Sequence, residues 1–183
     1  MDKQMGKRIN PKAKDARFTR HRSWLSKYEL FLEEALKYME LQDNDGAIAL
    51  LKQAILLEPK RAEAHAMLGI AYANKYDDEE AIESFTKAIE LAPYCKEAYY
   101  LRANLLATRY LNYKAALEDC QRVLELDPHF VDACGLKVFL HIGLDDKEEA
   151  ERALAMALKL APNMETRAEL EDLLKKIQEH TIE

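Results

Sequence analysis

Residues 65–93, HAMLGIAYANKYDDEEAIESFTKAIELAP, decide the fold. Two helix-like runs are divided by an acidic turn in which Asp77 or Asp78 stands as an N-cap before Glu79-Glu80-Ala81. Pro93 cannot continue a helix and pushes its predecessor out of helical geometry, so it ends the second run. Working outward, the closing phrase returns four times, as QAILLEP, KAIELAP, RVLELDP and MALKLAP, ending on Pro59, Pro93, Pro128 and Pro162. The intervals are 34, 35 and 34 residues. Twelve residues before each proline stands an alanine (Ala47, Ala81, Ala116, Ala150). Eight before it stands an apolar residue (Leu51, Phe85, Cys120, Leu154), and five before it a small or β-branched one (Ala54, Ala88, Val123, Ala157). A period of this length is the mark of a repeat array rather than of one irregular core.

The second copy, with His65-x2-Leu68-Gly69-x2-Tyr72, Ala81-x3-Phe85 and Pro93, resembles the tetratricopeptide repeat family over roughly residues 28–162. The resemblance implies an all-α fold, a right-handed solenoid of four helix-turn-helix hairpins. Gly69 and Ala81 are expected where two helices approach closely, with Tyr72 and Phe85 filling the space between hairpins. The copies differ. The third carries one extra residue within Thr108–Asn112, which predicts a longer first helix or a bulged turn. The fourth has Val138 for Gly69 and His141 for Tyr72, which predicts looser packing.

The expected division is an arm at 1–25, four repeats over 26–162 (26–60, 61–94, 95–129 and 130–162), and a capping helix with a short tail at 163–183. Ser26-Lys27-Tyr28-Glu29 reads as a capping box opening the first helix, with Leu25 and Leu30 as a hydrophobic staple. Asn163 reads as the N-cap of the last helix, whose Ala168, Leu170, Leu173, Leu174 and Ile177 would cover the edge of the fourth repeat.

Composition narrows the function. The chain has 183 residues, 49% hydrophobic and 33% charged, with 5 Gly and 5 Pro, too few for a collagen-like or turn-rich β protein. The three cysteines (Cys95, Cys120, Cys134) include no CxxC pair, and the first residues lack an apolar signal region, so a reducing, cytoplasmic setting is expected. The net charge of −6 is asymmetric: residues 1–27 carry nine basic side chains against two acidic, a balance of +7, leaving −13 for the remainder. An arm bearing Lys12, Lys14, Arg17, Arg20 and Arg22 around Phe18 and Trp24 could meet nucleic acid, anionic lipid, an acidic protein surface, or nothing. No apolar face or lipidation signal points to a membrane.

Chemistry-bearing motifs are missing. There is no phosphate loop, nucleophile elbow, HExxH or calcium loop. The cysteines and histidines read as packing residues, without ligand spacing. No enzyme activity, cofactor or metal is expected.

In the family resembled, the first helix of each hairpin lines a concave groove that holds a peptide. Carried onto this chain, that face comprises Glu29, Leu32, Glu33, Leu36 and Met39, then Glu63, Ala66, Met67, Ile70 and Asn74. It continues with Glu97, Tyr100, Leu101, Asn104 and Thr108, then Asp132, Leu136, Phe139 and Ile142. One acid per repeat (Glu29, Glu63, Glu97, Asp132) makes a carboxylate ladder beside an apolar strip, and Asn74 and Asn104 are the candidates to hold a peptide backbone. A subset of the family grips acidic chaperone tails with a Lys/Asn/Asn/Lys/Arg clamp. Here those positions hold Leu32, Leu36, Ile70, Tyr100 and Asn104, so such a tail is not the expected ligand. The expected partner is a protein with an apolar segment flanked by Lys or Arg, with nucleic acid bound through the arm as the alternative.

Overall fold

The computed structural model describes residues 25–160 and 164–178. Among them are nine helices and no strand. They are α1 (Lys27–Glu40), α2 (Asn44–Leu57), α3 (Ala62–Asn74), α4 (Asp78–Leu91), α5 (Lys96–Thr108), α6 (Tyr113–Leu126), α7 (Val131–Gly143), α8 (Lys147–Leu160) and α9 (Met164–Gln178). The chain divides into two compact units, residues 1–59 and 60–183. No described helix is long and apolar enough to cross a membrane.

In the first unit, α1 opens on the capping box: the Glu29 amide donates to Ser26 Oγ (3.2 Å) and the Ser26 amide to the Glu29 carboxylate (2.7 Å). Tyr28, Leu32 and Ala35 recur at the i, i+4, i+7 spacing that makes one helix face, and all are buried. On α2, Ala47, Leu51 and Ala54 are fully buried at the same spacing. Asp43 caps α2 by accepting from the Gly46 amide at 2.9 Å.

The second unit repeats the hairpin as α3–α4, α5–α6 and α7–α8. Ala81, Ala116 and Ala150 are fully buried, so the second helix of each hairpin comes close to its neighbours. What fills the crossing varies by complementary size. Gly69 on α3 lies under the Phe85 ring of α4; a β-carbon there would sit 2.6 Å from Phe85 Cε1. The matching positions hold Ala103 with Cys120 and Val138 with Leu154, and all four of these residues are buried. In the fourth hairpin, where Val138 and His141 predict looser packing, valine meets leucine instead of glycine meeting phenylalanine, and His141 is 6% exposed. Leu170, Leu173 and Leu174 of α9 pack on the Val138, Ala153 and Leu154 cluster and cap the last hairpin. Trp24 and Asn163 lie outside the described residues.

Each second helix stops two residues before its proline, at Leu57, Leu91 and Leu126. The following residue, Glu58, Ala92 or Asp127, has ψ of 75–96°, the departure from helical geometry that a following proline enforces. The turns within hairpins share another device. Gln42, Tyr76, Leu111 and Asp145 all adopt positive φ (50–67°) immediately before the second helix's N-cap. The N-cap amides of Asp43, Asp77, Asn112 and Asp146 then donate to the carbonyls of Tyr38, Tyr72, Leu106 and His141. This bond spans five residues in three turns and six in the third, while α3, α5 and α7 each have 13 residues. The extra residue of the third repeat thus enters the turn and leaves its helix at standard length.

Candidate peptide-binding face

Within the second unit, α3, α5 and α7 pack side by side, and between α3 and α5 opens a pocket of about 170 Å³. Ile70, Phe85, Leu101 and Leu105 supply its apolar lining, and Ala73, Asn74, Asn104, Thr108 and Arg109 its remaining walls. Five of the residues selected from sequence, Ile70, Asn74, Leu101, Asn104 and Thr108, thus meet at one pocket. The amides suit the alternating donors and acceptors of an extended backbone, while the apolar lining suits one side chain.

One pocket wall escapes a reading of repeat positions. Arg109 belongs to the turn that carries the third repeat's extra residue. From there it reaches back one hairpin: one guanidinium nitrogen pairs with Asp78, the other donates to the Ala73 carbonyl at 2.9 Å, and the plane lies 4.3 Å from the Tyr76 ring centroid. The length of that turn was the available signal, because an added residue changes what the turn can reach.

One turn up α5, Tyr100 stands four residues before Asn104 on the same side of the helix. Its ring lies 5.3 Å from Phe130, tilted by 50°. Burial, and then the negative charge of Asp132, push the Tyr100 hydroxyl above its ordinary pKa. Asp132 itself is exposed on α7. Lys96 lies over Phe130 at 5.3 Å and pairs with Asp127, which in turn accepts from the His129 amide at 3.0 Å.

The other residues selected from sequence divide by burial. Glu63 and Glu97 are exposed; Glu63 accepts from Arg61 at 3.2 Å, and the Cys95 thiol lies 3.6 Å from Glu97. Ala66 and Met67 are half-buried on α3. Phe139 is 45% exposed and meets Tyr113 edge-on, with centroids 6.0 Å apart. In the first unit, Leu36 is 49% exposed and Met39 half-buried.

Three expectations are corrected. Leu32 and Leu136, at 6% and 8% exposure, belong to hairpin cores and offer little to a ligand. Glu29 spends a carboxylate oxygen on the Ser26 amide, so the first rung of the ladder is a helix cap. His141 does face an acid: its Nδ1 lies 3.5 Å from Asp146, which also accepts from the Glu149 amide as the cap of α8. Among the described residues no group of three or more His, Cys, Asp or Glu side chains could hold a metal ion. The arm residues Lys12, Lys14, Arg17, Arg20 and Arg22 lie outside the described residues.

Comparisons with known proteins identify the family. Tetratricopeptide repeat models match residues 32–94, 77–129 and 112–177. Human serine/threonine-protein phosphatase 5 is 32% identical over 111 residues, covering 60% of this chain but 22% of the phosphatase. MamA from Desulfovibrio magneticus RS-1 shares the fold at a TM-score of 0.71, with 24% identity over 85% of this chain and 92% of the other. The TPR2B domain of yeast Sti1, solved as a complex with pHsp70, is 28% identical at a TM-score of 0.59, over 65% of this chain and 97% of that domain. With family models matching well over half of its length, the chain belongs to the tetratricopeptide repeat family.

Proposed function

We propose that this protein is an adaptor without catalysis, binding an extended protein segment across α3, α5 and α7. The observation that carries this reading is the pocket in which Asn74 and Asn104 stand over an apolar lining. Beside it stand the half-buried aromatic Tyr100 of α5 and the exposed acid Asp132 of the next hairpin. The similarity to a Sti1 domain solved with pHsp70 supports a peptide as the class of ligand.

Charge decides which peptide. Glu63, Glu97 and Asp132 are exposed on successive first helices, so an acidic tail is repelled and Lys or Arg beside an apolar anchor is favoured. Exposed ion pairs contribute only about 0–1 kcal/mol each, so the anchor supplies the affinity and the charges the register. Micromolar binding, about −8 kcal/mol, is expected.

The test is calorimetric titration of the full chain with peptides holding one central leucine, flanked by lysine, serine or glutamate. Lysine flanks should bind best and glutamate flanks least. Equal affinity for all three, or none for any, overturns the reading.

A further inference from the structure

We infer that the segment Arg17-Phe18-Thr19-Arg20-His21-Arg22 of this chain is itself a ligand of the α3–α5–α7 face, with Phe18 in the α3–α5 pocket and Arg20 against Tyr100 and Asp132. The inference rests on the peptide-binding reading above and names an occupant for it.

Register is the first argument. Asn104, Tyr100 and Glu97 are separated by four and three residues on α5, so they fall on one stripe of the helix, roughly 10 Å from end to end at 1.5 Å per residue. Asn104 walls the apolar pocket, Tyr100 lies within the field of Asp132, and Glu97 is exposed. Read in this direction, the stripe asks for an apolar group, then a cation, then a second cation. An extended chain presents alternate side chains to one side at roughly 7 Å intervals. Phe18, Arg20 and Arg22 are such an alternate set, apolar then basic then basic, and span roughly 13 Å when extended. The match has a direction: the segment runs antiparallel to α5.

Chemistry is the second argument. The guanidinium of Arg20 can lie flat on the Tyr100 ring while its edge meets the Asp132 carboxylate, two contacts that an ammonium makes less well. Asp132 forms no ion pair among the described residues, so an arriving cation displaces no partner there. Phe18 offers the pocket one flat apolar side chain. The long-range field agrees, since residues 1–27 carry +7 and the rest of the chain −13. A segment linked to the body that binds it has an effective concentration of order millimolar when geometry allows, so even a weak ligand competes with outside peptides.

Two measurements on the full chain test the inference. In the first, p-benzoylphenylalanine replaces Phe18, and the cross-links formed on irradiation are mapped by mass spectrometry. Adducts within residues 62–74 or 96–108 are expected; mixing isotopically light and heavy chains tells whether they form within one molecule or between two, and either supports the segment as ligand. In the second, a labelled peptide of residues 14–24 is titrated into the wild-type chain and into Phe18→Ser/Arg20→Glu. The variant should bind about tenfold more tightly at low salt, with the two affinities converging as salt rises. Cross-links confined to other regions, or equal affinities at low salt, overturn the self-ligand. If leucine peptides with lysine flanks still bind in that case, the peptide-binding reading survives; if no apolar–basic peptide binds even the variant, both fall.

Discussion

The Arg102 guanidinium grips the Asp119 carboxylate in a two-pronged pair, Nε to Oδ2 at 2.8 Å and Nη2 to Oδ1 at 2.7 Å, while Nη1 donates to Thr86 at 2.8 Å. One side chain on α5 thus ties the second helices of two successive hairpins, α4 and α6. Asp119 is 6% exposed, so removing its partner leaves a charge with little water. Arg102→Met should cost about 3–5 kcal/mol, toward the lower figure because the guanidinium site is partly open to solvent. The double change Arg102→Met/Asp119→Leu should recover most of that loss, because it removes the stranded charge along with the pair. Urea melts of the three proteins check this; a single variant within 1 kcal/mol of wild type would show that the pair contributes nothing.

Gly69 and Phe85 make a size-matched pair that the first repeat replaces with Ala35 and Leu51. Gly69→Ala drives its β-carbon into the phenylalanine ring and should cost about 1–3 kcal/mol. Phe85→Ala should cost about 3–5 kcal/mol by opening a cavity. Gly69→Ala/Phe85→Leu, which copies the first repeat, should be more stable than the sum of its single changes predicts. A double-mutant cycle with no coupling between residues this close would refute the pairing.

These pairs show what was legible in the sequence. Ala47, Ala81, Ala116 and Ala150 recur because a small side chain is needed at every hairpin crossing, so period alone located them. The prolines marked the ends of the second helices for the same local reason. The α3–α5 pocket could be approached by counting along the first helices, which brought Ile70, Asn74 and Asn104 forward. Counting could not tell that Leu32 and Leu136 turn into the core, because inner and buried faces of these helices lie only about one residue apart in angle. Nor could it find Arg102 or Arg109, whose partners lie 16–36 residues away and follow no repeat position. The positive φ at Gln42, Tyr76, Leu111 and Asp145 was hidden for another reason: none of these positions holds the glycine that usually marks that geometry.

Thiol reactivity separates the cysteines. Burial pushes the Cys120 thiol up to about 12, and its Sγ lies 3.1 Å from the Ala133 carbonyl. Burial also raises Cys134, while Cys95 is half-exposed at the start of α5. Because the thiolate is the reactive form, maleimide at pH 7.5 should label Cys95 alone in the folded protein and all three in denaturant. Peptide mapping checks this, and rapid native labelling of Cys120 would contradict the packing of α6 on α7.

Acid should loosen the link between α5 and the α6–α7 turn. The Lys96 ammonium, and then the His129 amide, hold the Asp127 carboxyl below its ordinary pKa. A depressed folded pKa contributes stability above the unfolded value of about 4 and loses it as pH falls through the folded value. Lys96→Met should therefore lower the melting temperature at pH 7 and match wild type more closely near pH 2.5. The Lys96 pKa is raised by the same partner, so the difference should also narrow as pH rises above about 10. A gap that stays constant from pH 7 to 2.5 would mean that the pair does not act on stability.

On the face proposed to bind peptide, the apolar pocket and the acids should separate in kinetics. Asn104 lines the pocket, so Asn104→Ala removes a short-range contact formed only after docking. It should speed dissociation of a lysine-flanked leucine peptide about tenfold and leave association within a factor of two, since affinity changes of this kind fall mostly on the off-rate. Glu63 and Glu97 are exposed and act at a distance through water. Glu63→Lys/Glu97→Lys should instead slow association several-fold and flatten its dependence on salt. Both positions face solvent, so the melting temperature should move little, which keeps a binding effect distinct from a folding one. Stopped-flow traces at 20 mM and 300 mM salt (on the order of 20 Å and 6 Å of Debye length) resolve the two cases. If the charge reversals leave association unchanged at both concentrations while Asn104→Ala still speeds release, the pocket binds peptide but the acids do not steer it, and the preference for basic flanks must be abandoned.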